Sequence, residues 1–480
     1  MLAEIHNLEK VSRLLEPNAS ERNALIQQVT DYANRYLSDV DIFPTFEPDI
    51  TKGQGLLDSP FANNGEKISD VLGLLHDHVD HAGINLTSGR YFGYIPGGGL
   101  FHAALGDFLA AITNRYAGLF LGSPGAVRIE NMLLRWMAEE IGYPSAAAGN
   151  LASGGSLANL TAIIAARDAH EVNGHIVSKS VVYVTEHVHH CIVKALHVAG
   201  LGHCIQRRIE VDACYRMDAD SLEQAISEDL KKGLKPWLVI ASAGTTNTGA
   251  VDPLSAIGEI AAEHALWHHV DGAYGGFFVL CPEGKAALPG IDNSDSIVLD
   301  PHKSLFLPYG LGAVLVNNGE KLFSAFNASA EYLQYTTNED DELSPADLSP
   351  ELTKHFRGLR LWLALKVIGL EPFRAALAEK LLLAKYFYEQ LNTYDGFEVG
   401  PRPDLSIFTF RYLPKKGDPN DFNNRLMLAI QQNGRVFFSS TWIDGLFVLR
   451  AATLSFRTHL EQVDEALSVL KHTAEQLEQE

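Results

Sequence analysis

Cysteine is scarce in this 480-residue sequence. The four present, Cys191, Cys204, Cys214 and Cys281, form no C-x-x-C pair and keep no regular spacing. That argues against a zinc framework or a disulfide scaffold and leads us to expect reduced thiols. No apolar run approaches the ~18 residues that would suggest a bilayer span. The phosphate loop GxxxxGK(S/T), the dinucleotide motif GxGxxG and the zinc helix HExxH are all missing. Positive charge is in deficit, with 38 Lys and Arg against 59 Asp and Glu, a formal charge of −21. This opposes binding to a nucleic-acid backbone, although a local pocket for one small phosphate remains open. The first residues, MLAEIHNLEKVSRLLEPNAS, carry early acidic groups and no basic patch leading into an apolar block, so a cytoplasmic location is expected. Internal repeats and low-complexity tracts are lacking too.

What is present is an ordinary globular composition, 46% hydrophobic and 20% charged, in a chain too long for one core. Residues 1–85 read as a helical arm with little core of its own, exemplified by ERNALIQQVTDYANRYLSDV, and a second copy of the chain is the simplest surface for it. Across 86–365, short β-rich runs alternate with helical ones: SVVYVT then HCIVKALHVAG, WLVIASAG then PLSAIGEIAAEHA, followed by WHHVDGAY, SIVLD and GAVLVNN. That alternation predicts an α/β fold with a mostly parallel sheet covered by helices, whose functional loops follow the carboxyl ends of strands. Residues 366–480 mix helices with strand-like SIFTFRYL and GLFVLRAATL, a small α+β domain.

Several residues stand out against this background. Asp271 ends the apolar run WHHVD, where a carboxylate is costly to bury without a cation; a lone Asp in such a place is more often a cap. Lys303, in SIVLDPHKSLFLPYG, has His302 before it and apolar neighbours around it, and desolvation would lower its pKa toward that of a nucleophilic amine. It stands 32 residues after Asp271, on the end of the next strand-like run, so both can face one crevice. In LASGGSLANL a Gly-Gly-Ser turn opens a helix, so Gly155 and Ser156 could cradle a phosphate or simply cap the helix. His187, His189 and His190 lack the spacing of a metal site, and no metal is expected.

Together these motifs resemble the group II pyridoxal-phosphate amino-acid decarboxylases, the family of aromatic-amino-acid, histidine and glutamate decarboxylases. The resemblance runs in order through YFGYIP, GSPGAVRIENMLLRWM, SGGSLANL, HVHHCIVKA, SAGTTNTGAVD, HVDGAYGG, DPHK, FRGLRLW and GLFVLR. It implies an aspartate-aminotransferase-like fold of type I and pyridoxal 5'-phosphate as cofactor. Lys303 is then the lysine to which the cofactor attaches and Asp271 the partner of its ring nitrogen. His189 stacks on the ring, Gly155 and Ser156 hold the phosphate, and Thr246 and His302 lie beside the cofactor. Tyr332, with Tyr335 as a nearby rival, matches the loop tyrosine that protonates the product, and Arg450 matches an arginine near the substrate carboxylate. The implied enzyme is a homodimer, with the arm crossing the interface.

Decarboxylation of an L-amino acid to its amine is the reaction this resemblance implies. Oxidative decarboxylation to an aldehyde, transamination, or a scaffold that has lost catalysis are the alternatives, since a fold does not select the bond broken. The substrate pocket departs from the aromatic-acid enzymes. Gly97, Gly98 and Gly99 replace small hydroxyl residues, Asp300 stands where many have asparagine, and Thr353 falls where glycine or serine is common. Tyr91, Phe92 and Tyr94 offer aromatic walls or core side chains, and an aromatic substrate is weakly favoured over acidic or diamino acids.

Overall fold

The computed structural model describes residues 1–49, 51–327 and 342–479. Tyr332 and Tyr335 lie outside them. The chain opens with helices over Leu2–Ser12 and Ala19–Asp39 that bury none of their residues. The second begins with a capping box in which Asn18 accepts from the N–H groups of Ser20 and Glu21 and Glu21 accepts from the N–H of Asn18. A helix over Ile68–Leu75 and a small ladder of β1 (Phe46–Glu47) with β2 (Gly83–Ile84) complete the arm.

Seven strands form the main sheet: β3 (Ala148–Ala152), β4 (Ser180–Val184), β5 (Ile205–Arg208), β6 (Lys235–Ser242), β7 (Trp267–Asp271), β8 (Ser296–Leu299) and β9 (Gly312–Val316). Their order is β3-β9-β8-β7-β6-β4-β5. Only β9 runs against its neighbours, so β3 to β8 all point the same way. The α/β reading, with a mostly parallel sheet, describes this architecture. Side chains alternate between two cores. Val181, Tyr183, Val239, Ala241, Ile297 and Leu299 enter one apolar cluster, whereas Val182, Val184, Leu238, Ile240 and Val298 enter the other. Both faces are covered by helices, which is why these strands read as continuous apolar runs rather than as an alternation. Each fully buried aliphatic side chain contributes roughly 1.5–3 kcal/mol.

A second, antiparallel sheet of β10 (Phe397–Val399), β11 (Ile407–Tyr412), β12 (Ser439–Ile443) and β13 (Leu446–Ala452) follows in the order β10-β11-β13-β12. Its inner face packs Phe408, Phe410 and Leu449 against the helices Glu371–Leu391, Pro419–Asn433 and Leu460–Gln479. Phe92, far earlier in the chain, joins this core. Its N–H donates to Phe437 O at 2.9 Å and its carbonyl accepts from Ala452 N–H at 2.9 Å. Tyr91 beside it stacks on Phe437 and is fully buried.

Beneath the large sheet Lys354 is sealed from solvent with Glu130, its Nζ donating to the Glu130 carboxylate and, at 2.9 Å, to Asn150 Oδ1. Burial pulls the lysine pKa down against that carboxylate. Removing one partner strands the other charge, so Glu130→Ala should cost about 3–5 kcal/mol in urea unfolding, while the double change Glu130→Leu with Lys354→Met should recover most of it. Equal stability of Glu130→Ala and the parent chain would refute this account of the pair.

Candidate active site

Five strand ends meet at one edge of the sheet. Asp271 is the last residue of β7, segments after β3, β4, β6 and β8 supply Gly155 and Ser156, His189, Thr246 and Lys303 respectively, and all six line a single cavity of about 310 Å³. His302 lines it too. The remaining expected residues lie elsewhere. Tyr91 is buried under Phe437, Thr353 is exposed, and Arg450 is buried on β13, none of them among the cavity's lining.

The Gly-Gly-Ser turn leads into the helix Gly155–Ala169, whose N-terminal end carries the helix's partial positive charge. Side chains have no room there. A Cβ on Gly155 would stand 2.9 Å from the Asp300 carboxylate, and one on Gly154 3.2 Å from the His302 ring. The backbone itself is therefore what an anion would meet. Across the cavity, Lys303 sits in the short helix Pro301–Ser304 that follows β8, its Nζ 3.0 Å from Asp300 Oδ2. Asp300 is almost fully buried, and its Oδ1 has no hydrogen-bond partner. Burial works to lower the Lys303 pKa, but Asp300 and Asp271 outweigh it and the pKa ends above the ordinary lysine value. This corrects the expectation of a lysine made nucleophilic by desolvation: two carboxylates on neighbouring strand ends reverse the sign.

His189 caps the helix His190–Val198, its Nδ1 accepting from Cys191 N–H at 3.3 Å, which leaves the proton on Nε2. Burial lowers its pKa despite nearby Asp271, so the ring is neutral and presents an uncharged face. The Cys191 thiol is pushed up to about 12 by burial and then by Asp271, which leaves it inert as a nucleophile. His302 donates from Nδ1 to Leu311 O at 2.6 Å. Arg450 grips the loop that carries Thr246: Nη2 donates to Thr246 O, Nε to Asn247 O at 2.8 Å and Nη1 to Ser439 Oγ at 2.7 Å. Burial pulls its pKa down to about 10.

Several supporting residues were not singled out from the sequence. Trp267 Nε1 donates to Ser296 Oγ, Ser296 to His269 Nδ1, His269 Nε2 to Asn159 Oδ1, and Asn159 to Cys191 Sγ, at 2.8, 2.8, 2.7 and 3.6 Å. The chain ends on Asn159 and Cys191 in the cavity wall. Asp252 is buried and accepts from the backbone N–H groups of Ser242 and Met217, both at 2.7 Å, fixing the end of β6. Its signal was available as the acidic end of GTTNTGAVD. Two of the three glycines at 97–99 also find their reason. A Cβ on Gly98 would stand 2.1 Å from Phe306 O, where backbone runs directly on backbone, and one on Gly97 2.9 Å from the Tyr309 ring.

The cavity thus offers backbone at a helix start for a phosphate, an amine for an aldehyde and a carboxylate for a ring cation, with an unpartnered Asp300 oxygen beside the amine. These residues fit pyridoxal phosphate. Among the described residues, no cluster of three His, Cys, Asp or Glu side chains is arranged to hold a metal, and no helix is long and apolar enough to cross a membrane. Residues 51–413 match the family model for the pyridoxal-dependent decarboxylase conserved domain. The chain belongs to this family. It is a pyridoxal-phosphate-dependent amino-acid decarboxylase, a carboxy-lyase. The decarboxylase is 33% identical to an aromatic-L-amino-acid decarboxylase of Bacillus atrophaeus, over 97% of this chain and 98% of that one. It is 27% identical to a phenylacetaldehyde synthase of Arabidopsis thaliana, over 97% and 98%. The crystal structure of Oryza sativa TDC with PLP and tryptamine superposes with a TM-score of 0.90 at 26% identity, covering 96% of this chain and 99% of that one.

The hydrogen-bond chain under the decarboxylase's cavity works only with His269 neutral, and burial holds both His268 and His269 at about 4. The unfolded chain takes up protons on these rings near pH 6.5, where the folded chain does not. Stability is therefore intact above about pH 6.5 and falls as pH drops toward 4. Urea midpoints should decline across that window, and His268→Leu, which removes a buried ring of lowered pKa, should flatten the decline. An unchanged pH slope in that variant would contradict the assignment.

Proposed function

We propose that this enzyme converts an aromatic L-amino acid to its amine and carbon dioxide. The observation that carries the reading is the convergence of Lys303, Asp271, His189 and the Gly155–Ser156 turn on one cavity, in a chain alike over nearly its whole length to an enzyme named for aromatic L-amino acids. When bound, pyridoxal phosphate supplies a sink for the electron pair left at the substrate Cα as carbon dioxide departs. Lys303 Nζ is the attachment point. Backbone at Gly155 and Ser156 receives the phosphate, with Thr246 and His302 lining the same cavity. The Asp271 carboxylate would keep a proton on the ring nitrogen, and His189 would offer its neutral ring to the cofactor. Tyr332, outside the described residues, delivers the proton to Cα, with Tyr335 as the competing candidate.

The substrate side is formed by less direct contacts. Arg450 as folded is spent on the Thr246 loop, and it reaches a substrate carboxylate only by turning its remaining N–H groups toward the cavity. Tyr91 and Thr353 belong to the substrate region by way of neighbouring segments or a second subunit. A homodimer is supported by the uncovered apolar side chains of the arm, such as Ile5, Leu8 and Val11, and by Phe101, Phe108 and Ile112 on the helix Phe101–Thr113. We assign residues 1–85 to the dimer-contacting arm, 86–365 to the cofactor unit and 366–480 to the small unit. The four free thiols suit the reducing cytoplasm.

The purified enzyme, loaded with cofactor and given L-tryptophan, L-tyrosine, L-phenylalanine, L-glutamate and L-2,4-diaminobutyrate, should release amine and carbon dioxide in equal amounts from the aromatic acids. Lys303→Ala should abolish turnover, and Asp271→Asn should lower kcat by about a hundredfold or more. Because some relatives are named phenylacetaldehyde synthase, aldehyde and peroxide are measured in parallel. Tyr332→Phe should raise the ratio of peroxide to amine, while Tyr335→Phe should not. Stoichiometric peroxide from the parent enzyme would overturn simple decarboxylation.

A further inference from the structure

Among the described residues, Asp300 Oδ1 is a buried carboxylate oxygen in the cavity wall with no hydrogen-bond partner. Its placement is tightly determined. Asp300 precedes the short helix Pro301–Ser304, three residues before Lys303, so Oδ2 reaches the lysine Nζ at 3.0 Å within one turn. On its other sides the carboxylate abuts the phosphate turn and β9. A Cβ on Gly155 would lie 2.9 Å from Oδ2, and one on Gly312 2.6 Å from Oδ1. Two glycines therefore make the space in which this side chain stands. With 1% of its side chain exposed, Asp300 has no bulk water to solvate it, and the lysine ammonium is its counter-charge.

We propose that Asp300 is a positioning residue for Lys303, its carboxylate tethering the lysine Nζ as an ammonium in the cofactor-free enzyme until an aldehyde takes the nitrogen over. The inference rests on the reading of Lys303 as the cofactor's attachment point. The groups that face the amine are Asp300 and Asp271, both acidic, the neutral rings of His189 and His302, and the protonated thiol of Cys191. Burial opposes the ammonium and the two carboxylates more than offset it, Asp300 by both charge and hydrogen bond. Condensation with an aldehyde joins the lysine nitrogen to the carbonyl carbon. The carbonyl oxygen leaves as water with two of the ammonium hydrogens, and the third is released as a proton. The tether is thus a barrier to loading that weakens as pH rises, and it holds the nitrogen where the aldehyde must arrive.

The test uses the full-length, cofactor-free enzyme, labelled with pulses of acetic anhydride across a pH series. Acetylation of the Lys303 peptide is quantified against that of exposed Lys194 in the same sample. In the parent enzyme the Lys303 midpoint should lie above that of Lys194. Asp300→Asn should lower it by about one pH unit or more, with about tenfold more labelling at a given pH below the midpoint, and Asp271→Asn should lower it less. Uptake of pyridoxal 5'-phosphate at neutral pH, followed by absorbance, should quicken in Asp300→Asn. A parent midpoint at or below that of Lys194 would overturn the proposal even if the variant fails to fold, and so would a midpoint unmoved in a folded Asp300→Asn. Neither readout depends on turnover, so failure of the tether is distinct from failure of the decarboxylase reading, which would show as absence of amine.

Discussion

Parallel strands place their carboxyl ends along one edge, and the entire cofactor cavity hangs from that constraint. Because β3, β4, β6, β7 and β8 share a direction, five loops widely separated in sequence deliver their first residues to the same place. None of the loops needs to be long. The strands are buried on both faces, so their positions are held by two apolar cores. The chemistry inherits that rigidity: a side chain at or within five residues of a buried strand end is held close to it.

Burying so many polar groups in such an edge demands partners, and the molecule provides them by two strategies. Neutral groups are threaded into a directional series from Trp267 through Ser296, His269 and Asn159 to Cys191, where each donor meets one acceptor. Charged groups are matched pairwise, as in Lys354 with Glu130 beneath the sheet and Lys303 with Asp300 within the cavity. In the cavity pair, Asp300 Oδ1 is left without a partner.

Much of this was legible in the sequence. The apolar runs SVVYV, WHHVD and SIVL each became strands of the main sheet, because a strand buried on both faces has no alternation to obscure it. The positions of Asp271, at the end of WHHVD, and of Lys303, four residues past SIVL, at one edge of the sheet follow from those same runs. The sign of the Lys303 shift was not, since it depends on Asp300 and Asp271 being close in space while opposing desolvation. The glycines at 97 to 99 read as an altered pocket, yet the cause of Gly97 is the ring of Tyr309 and that of Gly98 the backbone of Phe306, more than 200 residues along the chain. Phe92 and Tyr91 likewise could not be assigned to the small sheet from local pattern, because their partners Phe437 and Ala452 lie at the far end of the sequence.

Arg450 joins the two sheets in an unusual way. It stands on β13 of the small sheet, and it holds main-chain carbonyls of residues 246 and 247, which belong to the cavity-bearing loop after β6. The acceptors are main-chain oxygens, so the guanidinium is bonded to the path of the loop itself. The guanidinium is in effect a tie-rod between two machines: a tilt of the small sheet, however it arises, is delivered to the wall of the cavity as a movement of the loop that carries Thr246.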